Sequence, residues 1–258
     1  MKKGVIKTYF KSGLFVLFLI IVGVQTSLNM DYNWHWYRVS EFLFTIKNGV
    51  LTKGLLLDGL IVTIKISGIS LLFTVIIGFS TALLRFSSSP VLNGLVIVYV
   101  ETVRNTPLLI QLFVIYFVIS PVIGLSPFVS AVTALSLFEG AYASEIIRTG
   151  IDRVPSDQWE ASWSLGLSTY QGYYKIILPQ AMKQILPMLA GQCVSLIKDS
   201  ALVSTISIFD LTMRGQSIVS NTFLTFEIWF TVALCYFVLT ATLSVAISFW
   251  ERQIALKG

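Results

Sequence analysis

Charged residues are what this sequence has least of. Asp, Glu, Lys and Arg supply only 12% of its 258 residues, and they cluster between apolar runs instead of lining helix faces, which leaves no room for a large soluble domain. Histidine is reduced to one, His35, so a His-based catalytic pair or proton relay has no second member to draw on. The two cysteines, Cys193 and Cys235, both fall inside apolar segments, which argues against a disulfide in an aqueous loop and against a metal site built on cysteine spacing. No Gly-rich phosphate loop of the Walker type occurs, so any ATP used with this chain is hydrolysed by something else. Internal repeats and low-complexity tracts are missing as well.

Apolar residues are present in excess. They make up 55% of the chain, with a mean hydropathy of +0.80, against about 45–50% in soluble domains. A bilayer crossing takes about 20 mainly apolar residues, and six runs qualify, near 12–29, 55–84, 91–120, 128–148, 182–205 and 227–249. The expectation is an all-α, polytopic membrane protein. The first run reads as an uncleaved anchor, because its uncharged stretch extends from Ser12 to Met30 without a small-residue cleavage site. Residues 1–54 then form an anchor and an aromatic-rich connector, and 55–258 the main transmembrane domain. With the N-terminus inside, Lys2, Lys3, Lys7, Lys11, Arg85, Arg148, Arg153, Lys175, Lys183, Arg252 and Lys257 face the cytoplasm, and only Arg38, Lys47, Lys53 and Arg214 face away. The positive-inside rule favours that orientation, with both termini cytoplasmic. The net charge of +5 belongs to those loops and not to a nucleic-acid site. Trp34, Trp36 and Tyr37 read as an interfacial aromatic belt.

The connection from Thr149 to Gln180 is the longest on the cytoplasmic side, and it carries helix signals. In VPSDQWEASWSLG, Pro155 and Ser156 open a short helix, Ser156 or Asp157 caps it, and Gly166 ends it in a left-handed conformation. Asp157 and Glu160 have capping-box spacing. Trp159, Ser162 and Trp163 share a face, pointing at a partner or at the membrane surface. A second amphipathic piece, STYQGYYKIILP, is expected to stop at Pro179.

Glu160, Ala161, Ser162, three residues, Gly166, nine residues, then Ile176, Leu178 and Pro179 resemble the EAA motif of ABC importer permeases, with Ser162 where that family usually has Ala. GLIVTIKIS, YVETVRNTPLLIQLFVIYF, ALSLFEGAYASEIIRTGI, IKDSALVSTI and EIWFTVALCYFVLTATLS are similar to the polar amino acid permeases over about residues 55–258. The resemblance implies a five-helix type I importer core behind the N-terminal anchor, in a bacterial cytoplasmic (inner) membrane. It implies that Trp159, Glu160, Ala161, Ser162, Gly166, Ile176, Leu178 and Pro179 form a coupling segment docked on a separate ATPase, present in two copies. It also implies a second permease subunit, identical or paralogous, an external solute-binding protein, and a substrate such as glutamate, aspartate or glutamine. ATP and Mg would belong to the partner. The chain itself would have no cofactor, no metal and no catalytic residue.

Ionisable residues at bilayer depth default to a functional reading. Arg104, Glu139, Lys198 and Asp199 fall well inside their spans. Local pairs offer a plainer account for some of them: Glu101 with Arg104, Glu145 with Arg148, and Lys198 beside Asp199. Glu139 has no such neighbour on its helix. The run 91–120 is 30 residues, roughly 45 Å as a straight helix against a ~30 Å core. Either the helix tilts and kinks at Pro107, or it breaks there and restarts with Asn105 or Thr106 as N-cap and Pro107 in the first turn. A break would offer free amides to a substrate carboxylate, with Arg104 and Lys198 nearby, while Glu139 and Tyr142, one turn apart, would take an ammonium.

Two other classes compete. An ion-coupled secondary transporter would use Glu139 and Asp199 for its ion, but such folds show paired broken helices and only one break is visible. An intramembrane enzyme would need a convergent nucleophile and base, and the lone His35 lies outside the spans.

Overall fold

The computed structural model describes residues 32–47, 49–87 and 89–255. The expected anchor at 12–29, and with it Lys2, Lys3, Lys7 and Lys11, lies outside the described residues. The chain divides into two units at Arg38. In the first, Trp36–Arg38 is a single 3-10 turn, and the rings of Trp34 and Trp36 stack 5.9 Å apart at 5°.

The second unit begins with a short helix α1 (Val39–Leu43) and a hairpin, β1 (Phe44–Lys47) against β2 (Val50–Lys53), antiparallel with Phe44 opposite Lys53 and Lys47 opposite Val50. Gly49, at φ +77°, lies in the turn, where a left-handed residue matches the twist of the strands. The apolar-run reading passes over this hairpin and α1.

Helix α2 (Leu55–Arg85) runs against α6 (Pro127–Asp152), and this pair is the spine of the unit. Small residues let the two helices approach closely. A Cβ on Gly78 would sit 2.7 Å from that of Ala143, so a larger residue would push the helices apart. Thr63, Ser67, Ser70 and Thr74 are buried on α2, and Ser136 of α6 donates to the Ser70 carbonyl at 3.2 Å. At the Arg85 end, Glu145 pairs with both Arg85 and Arg148, and Arg148 pairs with Asp152 at 2.6 Å. The local pair read for Glu145 is therefore present and reaches a second helix.

Between them lie α3 (Pro90–Arg104), α4 (Leu108–Phe113), a π-helical segment (Val114–Ile119) and α5 (Ser120–Ile123). The chain bends by 107° between α3 and α4, so of the two readings of Pro107 the break is the one realised. Its cap differs from expectation. Asn105 terminates α3, Thr106 Oγ1 donates back to the Thr102 carbonyl at 2.9 Å, and Pro107 occupies the N-cap position with ψ 138° and no side-chain cap.

After α6 come α7 (Ser156–Ser164), α8 (Thr169–Gly172), a π-helical segment (Tyr173–Ile177) and α9 (Leu178–Asp199), extended by a 3-10 segment (Ser200–Ile206). Residues Thr169–Ile206 form one continuous 38-residue helix. Pro179 does not stop it, contrary to the sequence expectation. The π turn ahead of Pro179 supplies the widened spacing that a missing N–H requires. Then α10 (Leu211–Thr222) and α11 (Thr225–Ala255) complete the chain.

Among the described residues, α2, Thr169–Ile206 and Thr225–Glu251 are long and apolar enough to cross a membrane, and the bent pair makes a fourth if it is one broken span and not a re-entrant loop. The 26-residue α6 is long enough by length alone, and Glu139, Glu145, Arg148 and Asp152 lower its hydropathy. The architecture is all-α apart from the hairpin.

Candidate coupling segment and buried polar site

Helix α7 starts one residue after Pro155, whose φ −57° and ψ 142° set its entry. Asp157 is therefore a second-position residue, and it does not form the expected capping box with Glu160, because proline at the N-cap has no side-chain oxygen to offer. The helix ends as the sequence indicates. Gly166 has φ +72°, the Leu167 N–H donates to the Ser162 carbonyl at 3.1 Å and the Gly166 N–H to the Trp163 carbonyl at 2.9 Å. These are the two bonds of a Schellman close.

Trp159, Ser162 and Trp163 do not share one fate. Ser162 is fully buried, Trp159 is half-buried and Trp163 is 55% exposed. Trp159 packs 6.1 Å from the Tyr173 ring and joins an apolar cluster with Ile147, Ile151, Ile177 and Ile185. Glu160 and Ala161 are exposed, Ile176 is partly buried in the same cluster, Leu178 is half-buried and Pro179 is exposed. The segment thus has one face clamped to the bundle and one open. The open side adds Leu165 (73% exposed) and the stacked pair Tyr170 and Tyr174, 6.4 Å apart at 5°. Their i, i+4 spacing is the signal that could have marked the tyrosine pair.

The polar residues read at bilayer depth fall into two groups on α6. Glu139 is fully buried and accepts a hydrogen bond from Gln192 Nε2 of α9, and Asp199 lies within hydrogen-bonding reach of it. Its second oxygen, Oε1, is buried with no donor. One turn on, Tyr142 lies beneath the Arg104 guanidinium, 5.5 Å from ring centroid to Cζ. Among the described residues no ion pair joins Glu101 to Arg104. Glu101 instead accepts from Asn105 Nδ2 at 3.1 Å. Lys198 is exposed, beside the half-buried Asp199. Gln192, which the charge-based reading does not reach, is neutral and sits in an apolar run.

Gln111 closes the break. Its amide donates to the Val103 carbonyl at 2.8 Å, the Thr106 carbonyl at 3.1 Å and Thr106 Oγ1 at 2.8 Å. The exposed carbonyl end of α3 is thereby satisfied from within the chain, as a helix end requires away from water. The Ile110 and Gln111 amides both turn to the Pro107 carbonyl.

A second buried acid lies between the 3-10 segment and α10. Asp210 Oδ1 accepts from the Met213 amide at 2.8 Å and Oδ2 from the Tyr236 hydroxyl at 3.2 Å, while Thr63 Oγ1 accepts from the Leu211 amide at 3.1 Å. Burial pushes the Asp210 carboxyl up to about 6, against the opposing pull of these hydrogen bonds. The arrangement knots α2, α10 and α11 together.

A family model described as "binding-protein-dependent transport system inner membrane component" matches residues 74–255. The chain is 38% identical to the L-cystine transport system permease protein TcyB of Bacillus subtilis (strain 168), covering 85% of this chain and 91% of that protein. It is 36% identical to the putative glutamine transport system permease protein GlnP of Rickettsia felis, covering 78% and 94%. Among solved structures, one described as an amino acid ABC transporter with histidines superposes with a TM-score of 0.73 at 38% identity, covering 77% of this chain and 94% of that one. The inward-facing MetNI methionine ABC transporter shares the fold, with a TM-score of 0.66 at 18% identity over 78% and 96%. The chain belongs to the binding-protein-dependent transport system inner membrane component family, the membrane-spanning permeases of ABC importers.

Proposed function

We propose that the chain forms the translocation pathway of an ATP-driven importer for a polar amino acid and couples it to a separate ATPase through α7. The observation that carries this reading is the geometry of α7: a short rigid helix, one face clamped into the Ile147–Ile185 cluster and the other open, with Trp163 and Leu165 exposed. Such a helix transmits a rigid-body push from whatever docks on it to the spans on either side. Trp159, Glu160, Ala161, Ser162, Gly166, Ile176, Leu178 and Pro179 form this segment.

The substrate's ammonium is assigned to Glu139, whose buried Oε1 lacks a donor, with Tyr142 one turn away. Arg104, the Asn105–Thr106–Pro107 break and Lys198 receive the carboxylate, and Asp199 lines the pathway beside Lys198. The names of the relatives, cystine and glutamine permeases, support a polar zwitterion as cargo, with glutamate and aspartate as further candidates. The full assembly comprises two permease subunits, two ATPases that bind ATP and Mg, and an external binding protein. Both permease termini lie in the cytoplasm of a bacterial inner membrane.

The test is purification in mild detergent from the native membrane. A stoichiometric ATPase whose hydrolysis rises with a binding protein loaded with glutamine or cystine is expected. A chain recovered alone, transporting after reconstitution without ATP, would overturn the reading.

A further inference from the structure

Ser162 is fully buried while its neighbours Ala161 and Trp163 are exposed, so something covers it. That something is Gly172, at the foot of the continuous helix that becomes α9. A Cβ built on Gly172 would lie 2.7 Å from Ser162 Oγ, 3.2 Å from Ser162 Cβ and 4.0 Å from Trp159 Cζ3. The obstructing oxygen cannot swing aside freely, because Ser162 Oγ donates to the Trp159 carbonyl at 2.7 Å. Nothing in the backbone calls for glycine here: φ −60° and ψ −46° are ordinary helical values, at which alanine would be favoured by helix propensity. The glycine answers a contact and not a conformation.

The same contact ties α7 to the next span. Ser162 closes the Schellman turn through its carbonyl, Trp159 lies on Tyr173, and Gln180 Nε2 donates to Gln158 Oε1 at 3.1 Å. A force on α7 therefore reaches the 169–206 helix through the packed Ser162–Gly172 face without passing along the exposed Gly166–Ser168 turn.

We propose that Gly172 is the positioning residue that seats the coupling helix on its span, and that the Ser162 hydroxyl is what makes glycine necessary there. This rests on the reading of α7 as the coupling helix. Gly172→Ala wedges α7 off its seat, so that hydrolysis continues while its motion is lost to the spans. Ser162→Ala removes the 2.7 Å obstruction and leaves only the 3.2 Å approach to Cβ, which a shift of a few tenths of an ångström absorbs.

The experiment reconstitutes the whole importer, this chain with its copurified ATPase and binding protein, in liposomes. Uptake of labelled glutamine or cystine and ATP hydrolysis are measured together for the wild type, Gly172→Ala, Ser162→Ala and the double variant. Gly172→Ala is expected to lower uptake per ATP about tenfold, the scale of one overpacked contact. Ser162→Ala sets the reference for its own background, and the double variant is expected to match it within about twofold, so that the glycine substitution costs nothing once the hydroxyl is gone. Unchanged uptake per ATP in Gly172→Ala, or a double variant as far below Ser162→Ala as Gly172→Ala is below wild type, would overturn the proposal. Should Gly172→Ala fail to assemble, the amount of assembled complex is read instead: recovery in the double variant supports the proposal and no recovery overturns it. Wild-type uptake that survives ATP depletion would sink the coupling reading itself, and this proposal with it; that result is read on the wild type alone.

Discussion

Glu139 and Asp210 are both carboxylic acids with no exposed surface, yet the protein treats them oppositely. Asp210 is saturated: an amide on one oxygen, a tyrosine hydroxyl on the other, at the junction of three helices. Glu139 has one partner, Gln192, a second acid in Asp199 nearby, and an oxygen left without a donor. Burying an unsatisfied acid is costly, so the open oxygen is an expense that structure alone does not recover. The saturated acid is a fastening, and the open one is the acid proposed above to take the substrate's ammonium.

Substitution should separate the two roles. The largest effect is expected at the fastening. Asp210→Ala removes a helix cap, strands the Met213 amide and leaves the Tyr236 hydroxyl with Thr212 alone, costing roughly 3 kcal/mol, read as a fall in the thermal unfolding midpoint of the detergent-purified chain. An Asp210 variant as stable as wild type would erase the contrast with Glu139.

Of similar size is the pH response of the same residue. Its folded value of about 6 lies above the ~3.9 of an unfolded aspartate, so the folded state holds the proton more tightly. The stability this gives is full below about pH 4 and is lost as pH rises through about 6, on the order of 3 kcal/mol. Asp210→Asn should flatten that part of the stability–pH curve; an unchanged slope would assign it to other groups.

Glu139→Gln keeps the volume, removes the charge and relieves the approach of Asp199. Uptake should fall at least tenfold, about 1.4 kcal/mol, while thermal stability holds steady or rises. Lost stability with normal uptake would make Glu139 a second fastening. Smallest is Gly166→Val, which places a β-branched residue at φ +72°. About 1 kcal/mol of strain at that turn should reduce uptake several-fold with membrane insertion, followed by surface labelling, unchanged.

The contrast between the acids also marks how far sequence reading extends. Glu139 is visible because a charge in an apolar run stands out and no residue at i±3 or i±4 pairs with it. Asp210 sits in SIFDLTMRGQ, which reads as an ordinary polar connection; its partner Tyr236 is distant in the chain, as is Thr63, which accepts from the adjacent Leu211 amide. Gln192 and Gln111 escape notice for a related reason. Both are neutral, and each matters only through a group that folding brings to it. Two prolines give the same lesson. Pro107 and Pro179 each remove one backbone donor, but one sits at a 107° bend and the other inside a continuous helix. The difference lies in the turn ahead: Asn105 and Thr106 fold their side chains back onto α3, whereas Tyr173–Ile177 widens into a π turn.

The sequence by itself determined the all-α membrane class, through apolar runs of bilayer length. It also determined the family, through the spacing from Glu160 to Pro179, and the left-handed close at Gly166. These are properties of composition and of neighbours along the chain. Only the tertiary structure decided which acid is fastened and which is open, which proline breaks its helix, and why Gly172 faces Ser162. The acids and the glycine depend on contacts between segments that meet only once the helices have packed, and the prolines on backbone conformations that composition and spacing leave open.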